Sequence, residues 1–157
     1  GEFAEDYDLW LRLVEAGWGI AKVPRVLFHW RIHGKNVTWT DPRLSKSALR
    51  RLRAQHLART IDRSFGIWGA GAYGRRLARE LDENGARVSF FIDIDPLKIG
   101  RKRREAPVLS VDEGLARARR DGALVIVAVA VFGARDLVRG QLASRGFVEG
   151  RDFVCAG

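Results

Sequence analysis

The sequence holds no methionine and a single cysteine, Cys155, among its 157 residues. One thiol excludes an intramolecular disulfide and fits a reducing, cytoplasmic setting. No apolar run approaches the roughly 20 residues that a membrane-spanning helix needs, and no secretory signal is recognisable. Low-complexity linkers and internal repeats are also missing. Acids are in short supply: 19 Asp and Glu face 28 Lys and Arg, a formal charge of +9. That excess favours anionic partners without choosing among phosphates, nucleic acid and membrane surface. An apolar content of 46% is ordinary for a globular chain, and the length suits one full domain with an appendage. Gly1-Glu2-Phe3 reads as a cloning remnant, so the chain is expected to open inside a domain.

What is present divides into three stretches: 1–40, 41–62 and 63–157. In the first, the pattern predicts a helix from Asp6 to Ala16. Its Tyr7, Leu9, Trp10, Leu11, Leu13 and Val14 are too many for one stripe, so burial on two sides is expected. Gly17 is a natural left-handed stop, with Trp18 placed to fold back on the last turn. Two short strands, Gly19–Val23 and Val26–His33, are predicted around Pro24. In the second, Val26, Phe28, Trp30 and Ile32 alternate with Leu27, His29, Arg31 and His33.

The run Ala4-Glu5-Asp6-Tyr7-Asp8-Leu9-Trp10-Leu11-Arg12-Leu13, followed by Ala16-Gly17 and Arg31-Ile32-His33-Gly34, resembles the distal part of bacterial family 2, GT-A type glycosyltransferases. The resemblance implies that the carboxylate of Asp6, with Glu5 beside it, is a catalytic base toward an acceptor hydroxyl. Such help is worth about 10²–10⁴ in rate. It places His33 near the donor diphosphate or its metal. The alternative readings are two acids at a helix N-terminus and a strand-end histidine satisfied by backbone. No metal site is expected within this chain; a divalent metal would belong to the full-length parent. By the same resemblance, the partners are a nucleotide-sugar and a glycan acceptor, in polysaccharide biosynthesis. The chain alone, lacking the donor-binding half, is expected to be inactive.

In the connector, Asp41-Pro42 opens a predicted helix to about Arg59, with Asp41 as cap. Leu44, Leu49, Leu52, Leu57 and Ile61 form a ragged apolar stripe among basic residues. Such a helix suits either a plain connector with a solvated face or peripheral association with the inner membrane face.

From Ser64 a new unit begins. A short apolar strand to Trp68 runs into Gly69-Ala70-Gly71-Ala72-Tyr73-Gly74, a helix follows from Ala72 to Asn84, and a strand Val88–Ile92 ends at Asp93. This is G-x-G-x-x-G in its strand–turn–helix context, with an acid about 20 residues on. Gly69 permits the turn, Gly71 admits a pyrophosphate, and Gly74 allows close helix–strand packing. The helix N-terminus favours an anion, and Asp93 is expected to accept from ribose hydroxyls. Tyr73 occupies a loop position where smaller residues are usual, and is expected to block or line the pocket. The other reading is that the glycines serve packing only.

The rest predicts strands Pro107–Ser110, Ala123–Val131 and Phe153–Cys155, with helices Asp112–Arg120 and Gly133–Arg145. Right-handed crossovers give a Rossmann-like α/β sheet in the order 3-2-1-4-5, helices on both faces, and a crevice between the first and fourth strands. It is preceded by the helix and β-hairpin of the GT-A fragment. Phe91-Ile92-Asp93-Ile94-Asp95-Pro96, Lys98-Ile99-Gly100 and Pro107-Val108-Leu109-Ser110 resemble small Rossmann-like lobes fused to sugar acyltransferases, sugar-modifying methyltransferases and glycosyltransferases. That resemblance implies a nucleotide or nucleotide-sugar as ligand, with NAD a further candidate. The alternatives are a non-catalytic binding or scaffold module and an NAD(P)-binding enzyme domain. Around Val131–Arg135 there is no acid–base pair to serve the latter. The basic loop Lys98, Arg101, Lys102, Arg103, Arg104 has no aromatics interleaved for base stacking, so no nucleic-acid partner is expected. The first helix, without the sheet of its parent, is expected to cover the Rossmann-like unit, pair with another copy as a homodimer, or fray.

Overall fold

The computed structural model describes residues 4–131 and 133–156. The expected remnant Gly1-Glu2-Phe3 and Phe132 of the loop after the fourth predicted strand lie outside them. The chain forms two compact units, the first ending at His56 and the second beginning at Leu57.

The first unit contains α1 (Glu5–Glu15), α2 (Val37–Thr40), a 3₁₀ turn (Pro42–Leu44) and the start of α3 (Lys46–Thr60). Gly17, at φ +82°, ends α1 as expected, with the Trp18 N–H donating to the Leu13 carbonyl. Two expectations fail here. None of the α1 side chains is buried, and Leu9, Trp10 and Val14 are exposed. What ties α1 to α3 is polar: the Arg53 guanidinium donates to the Tyr7 hydroxyl (2.8 Å), and the buried His56 ring lies between Glu15 (2.6 Å) and Asp8 (3.0 Å). The β-hairpin is also absent, for neither Gly19–Val23 nor Val26–His33 is a strand. A strand is stable only when a neighbour pairs its backbone, and among the described residues no strand adjoins this segment. Its alternating side chains are exposed on both sides.

The connector helix starts later than expected. Asp41 does cap, but it caps the 3₁₀ turn, accepting from the Arg43 N–H (2.8 Å) with Pro42 at the first position. Ser45 takes over at α3, its hydroxyl accepting from the Ala48 N–H (3.2 Å). The buried residues of α3 include Arg50 and His56 beside Ala48, Leu52 and Ala54. Two such polar groups on the covered side do not make an apolar stripe for a membrane surface.

The second unit is α/β. Its elements run β1 (Phe65–Trp68), α4 (Ala72–Glu83), β2 (Phe90–Ile92), β3 (Lys102–Arg103), β4 (Ala106–Leu109), α5 (Val111–Asp121), β5 (Leu124–Val127), α6 (Ala134–Ser144) and β6 (Phe153–Cys155). The sheet order is β3-β4-β2-β1-β5-β6. Its five parallel strands stand in the expected order, and β3 adds a short antiparallel edge on β4. The added hairpin turns through Arg104 (φ +49°) and Glu105 (φ +63°), both left-handed. Without an Asn-Gly or Asp-Gly pair, nothing in the sequence announces such a turn.

All residues of β1, β2 and β5 are buried, as befits strands covered on both faces. Trp68, Phe90, Ile92, Val125, Val127, Leu115, Leu142 and Phe153 share one core cluster. Gly66 leaves room for the Phe90 ring, which a Cβ there would meet at 2.2 Å. Helix α5 starts on a reciprocal cap, in which Ser110 and Glu113 each bond the other's backbone N–H. Ser110→Ala should therefore destabilise the second unit by about 1 kcal/mol, read as a lower urea midpoint at unchanged slope.

Candidate functional site

Strands β2 and β5 flank β1, and their chains leave in opposite directions across the sheet. Beyond the carboxyl ends of β1 and β5, at this reversal of strand order, lies a cleft of about 660 Å³. Both the place and the size are those of a small-molecule site. The crevice expected between the first and fourth strands is this one.

The glycine turn forms one wall, and its three glycines differ in why they are glycine. Gly69 sits at φ +117°, and a Cβ there would also lie 2.7 Å from the Ala128 carbonyl oxygen. At Gly74 a Cβ would lie 1.8 Å from the Gly69 carbonyl oxygen, so this glycine lets α4 press against the end of β1. Gly71 has neither excuse. Its φ of −74° and ψ of −170° suit any residue, and a Cβ would meet nothing within 4 Å. The space that it leaves free opens at the N-terminus of α4, which no side chain caps.

Asp93, immediately after β2, does line the cleft but points inward. Its Oδ2 accepts from the Ala70 N–H (2.8 Å), its Oδ1 accepts from the Asp95 N–H (3.0 Å), and Lys98 Nζ stands 3.3 Å from both oxygens. The carboxylate thus braces the glycine turn. Lys98 also pairs with Asp95 (3.2 Å). Burial disfavours the Lys98 charge, yet the hydrogen bonds to Asp95 and Asp93 outweigh it and raise its pKa above the ordinary lysine value. Asp95 is held below the usual carboxylate range by the Leu97 N–H and by Lys98. Asp93, Asp95 and Lys98 thus engage one another within the turn after β2. Among the described residues, no three or more His, Cys, Asp or Glu side chains are grouped to hold one.

Tyr73 lines the cleft rather than closing it, and its hydroxyl donates to the Ala156 carbonyl beyond β6. The Ala128–Val131 segment after β5 and the α6 residues Leu137 and Val138 supply an apolar opposite wall, with Gln141 at its edge. Among the described lining residues, the ionisable ones are Tyr73, Arg76, Asp93 and Lys98, without histidine, glutamate or cysteine. Lys98 and Arg76 also line the cleft, beyond the residues that the glycine motif marks. Lys98 belongs by sequence to a basic loop, but its place just past Asp95-Pro96 turns it back onto Asp93.

In the first unit, Glu5 and Asp6 sit in the first turn of α1, behind Ala4 as N-cap, so neither caps the helix. The Glu5 side chain is 87% exposed and pairs with Arg43 (3.3 Å), while Asp6 accepts from the Tyr7 N–H (2.7 Å). His33 is exposed; its ring Nδ1 accepts from the Lys35 N–H (3.2 Å), and its own N–H donates to the Asn36 side chain. No hydrogen bond or ion pair among the described residues joins His33 to Glu5 or Asp6.

No protein-family model matches the sequence, and no curated protein matches it. Among solved structures, the chain is similar to RSP, a Rex-family repressor, at 18% identity, covering 68% of this chain and 59% of that one with a TM-score of 0.48. It is also similar to RSP in complex with beta-NADH, at 18% identity, 68% and 60% coverage and a TM-score of 0.47. A third likeness is to RSP with beta-NAD+ and operator DNA, at 18% identity, 66% and 57% coverage and a TM-score of 0.47. The chain spans about three fifths of each of these proteins. None of the three is a glycosyltransferase, and that role gains no support from them. Against the expectation of no nucleic-acid partner stands the operator DNA bound in one of these similar structures. Among the described residues no helix is long and apolar enough to cross a membrane.

Proposed function

We propose that the second unit is a nucleotide-binding module, with the diphosphate seated at the N-terminus of α4 and the ribose toward Asp93 and Lys98. The observation that carries this reading is Gly71, whose missing side chain serves neither backbone conformation nor packing. A helix N-terminus contributes typically about 0.3–1 kcal/mol toward an anion, which orients a ligand more than it holds it. The apolar wall from Ala128 to Val131 supplies the remaining contact area for a base. Among the described lining residues the one carboxylate, Asp93, is committed to the glycine turn. Binding rather than catalysis is the reading that the site supports.

For the first unit, the proposal of a transferase fragment rests on the family resemblance of residues 4–34. The solvent-facing Asp6 carboxylate is compatible with a base there.

The test is calorimetric titration and thermal shift with ADP, NAD, UDP and a UDP-sugar. Binding by at least one of them is expected, with stabilisation of about 2.7 kcal/mol at a hundred times Kd. No binding by any of them at millimolar concentration would sink the reading.

A further inference from the structure

The acid after β2 is the group expected to read a ribose, but here it is occupied. A carboxylate offers about four lone-pair sites. On Asp93 the N–H groups of Ala70 and Asp95 take one on each oxygen, and Lys98 Nζ, equidistant at 3.3 Å, covers the others. The Asp93 side chain is 8% exposed against 31% for that of Lys98. Both residues line the cleft, and Lys98 is the more exposed of the two.

An ammonium has three N–H groups. One straddles the two Asp93 oxygens and another goes to Asp95 at 3.2 Å, which leaves the third without a partner among the described residues. From these positions, and resting on the nucleotide-binding reading above, we propose that Lys98, not Asp93, recognises the ribose of the bound nucleotide. The contact runs opposite to the usual one: the ribose hydroxyl oxygen accepts from Lys98 instead of donating to a carboxylate. Asp93 is a positioning residue, holding the glycine turn through Ala70 and the ammonium through its charge. Two carboxylates outnumber the one ammonium and leave this corner net negative, so an unphosphorylated ribose suits it better than a 2′-phosphate.

The experiment compares ADP with 2′,3′-dideoxy-ADP in the wild type and in Lys98→Met, by calorimetry. The wild type is expected to bind ADP about tenfold more tightly than the dideoxy analogue, and Lys98→Met to bind both at the weaker, dideoxy level. A Lys98→Met protein that still discriminates, or binds ADP more tightly, would show that the released Asp93 reads the ribose, and would overturn the proposal. Should that variant not fold, Lys98→Ala, which leaves room for water beside Asp93, takes its place: loss of the discrimination is expected, and its retention would overturn the proposal. A wild type that binds none of ADP, NAD, UDP and a UDP-sugar refutes the nucleotide-binding reading itself and this proposal with it. Binding without hydroxyl discrimination refutes the role of Lys98 alone.

Discussion

Gly74→Ala should destabilise the second unit by about 3 kcal/mol or more, enough to remove much of a small domain's stability. Two effects of opposite sign compete at this site. Within a helix, replacing glycine by alanine ordinarily gains about 1 kcal/mol through backbone entropy and propensity. Against that, the new methyl would stand 1.8 Å from the Gly69 carbonyl oxygen, and 3.0 Å from its carbon. These are backbone atoms at the end of β1, not the tip of a flexible side chain that can swing aside. Relief requires α4 to lift from the sheet, taking with it Leu77, Ala78 and Leu81, which are all fully buried. Urea denaturation followed by far-UV circular dichroism measures the difference. A midpoint equal to or above that of the wild type would mean that helix propensity wins and that the close approach is not tight.

The second unit was legible because its signals have local causes. The glycine turn is one: φ +117° at Gly69 and the crowding at Gly74 are demands that the chain meets with glycine wherever this strand–turn–helix forms. The near-continuous apolar run of β5 is another, since a central parallel strand has no solvent face to alternate with. The first unit shows the limit of the same reasoning. Val26, Phe28, Trp30 and Ile32 alternate as a strand should, but alternation states a preference for a pleated surface and not the presence of a neighbour to pair with. Likewise the sequence places Asp93 but not its hydrogen-bond partners. Its spacing from the glycines fixes its position at the end of β2, whereas occupation of its lone pairs depends on how the turn from Asp95 returns Lys98, which spacing does not encode.

Gly71→Val separates packing from binding. Ligand affinity should fall by about 100-fold or more, or about 2.8 kcal/mol, while stability stays within about 1 kcal/mol of the wild type. The stability half follows from the geometry of the free protein: at φ −74° and ψ −170° valine is unstrained, and its Cβ enters open space. The affinity half follows from what that space is for. A diphosphate reaching the first N–H groups of α4 must pass over the Gly71 Cα, and a branched side chain there holds it beyond hydrogen-bonding distance. Gly74→Ala cannot make this distinction, because it disturbs the turn and the fold together. In Gly71→Val the two outcomes are uncoupled, so calorimetric affinity and thermal midpoint on one preparation read them apart. A folded variant with unchanged nucleotide affinity would mean that the ligand does not approach over Gly71, and the diphosphate would have to be placed elsewhere in the cleft.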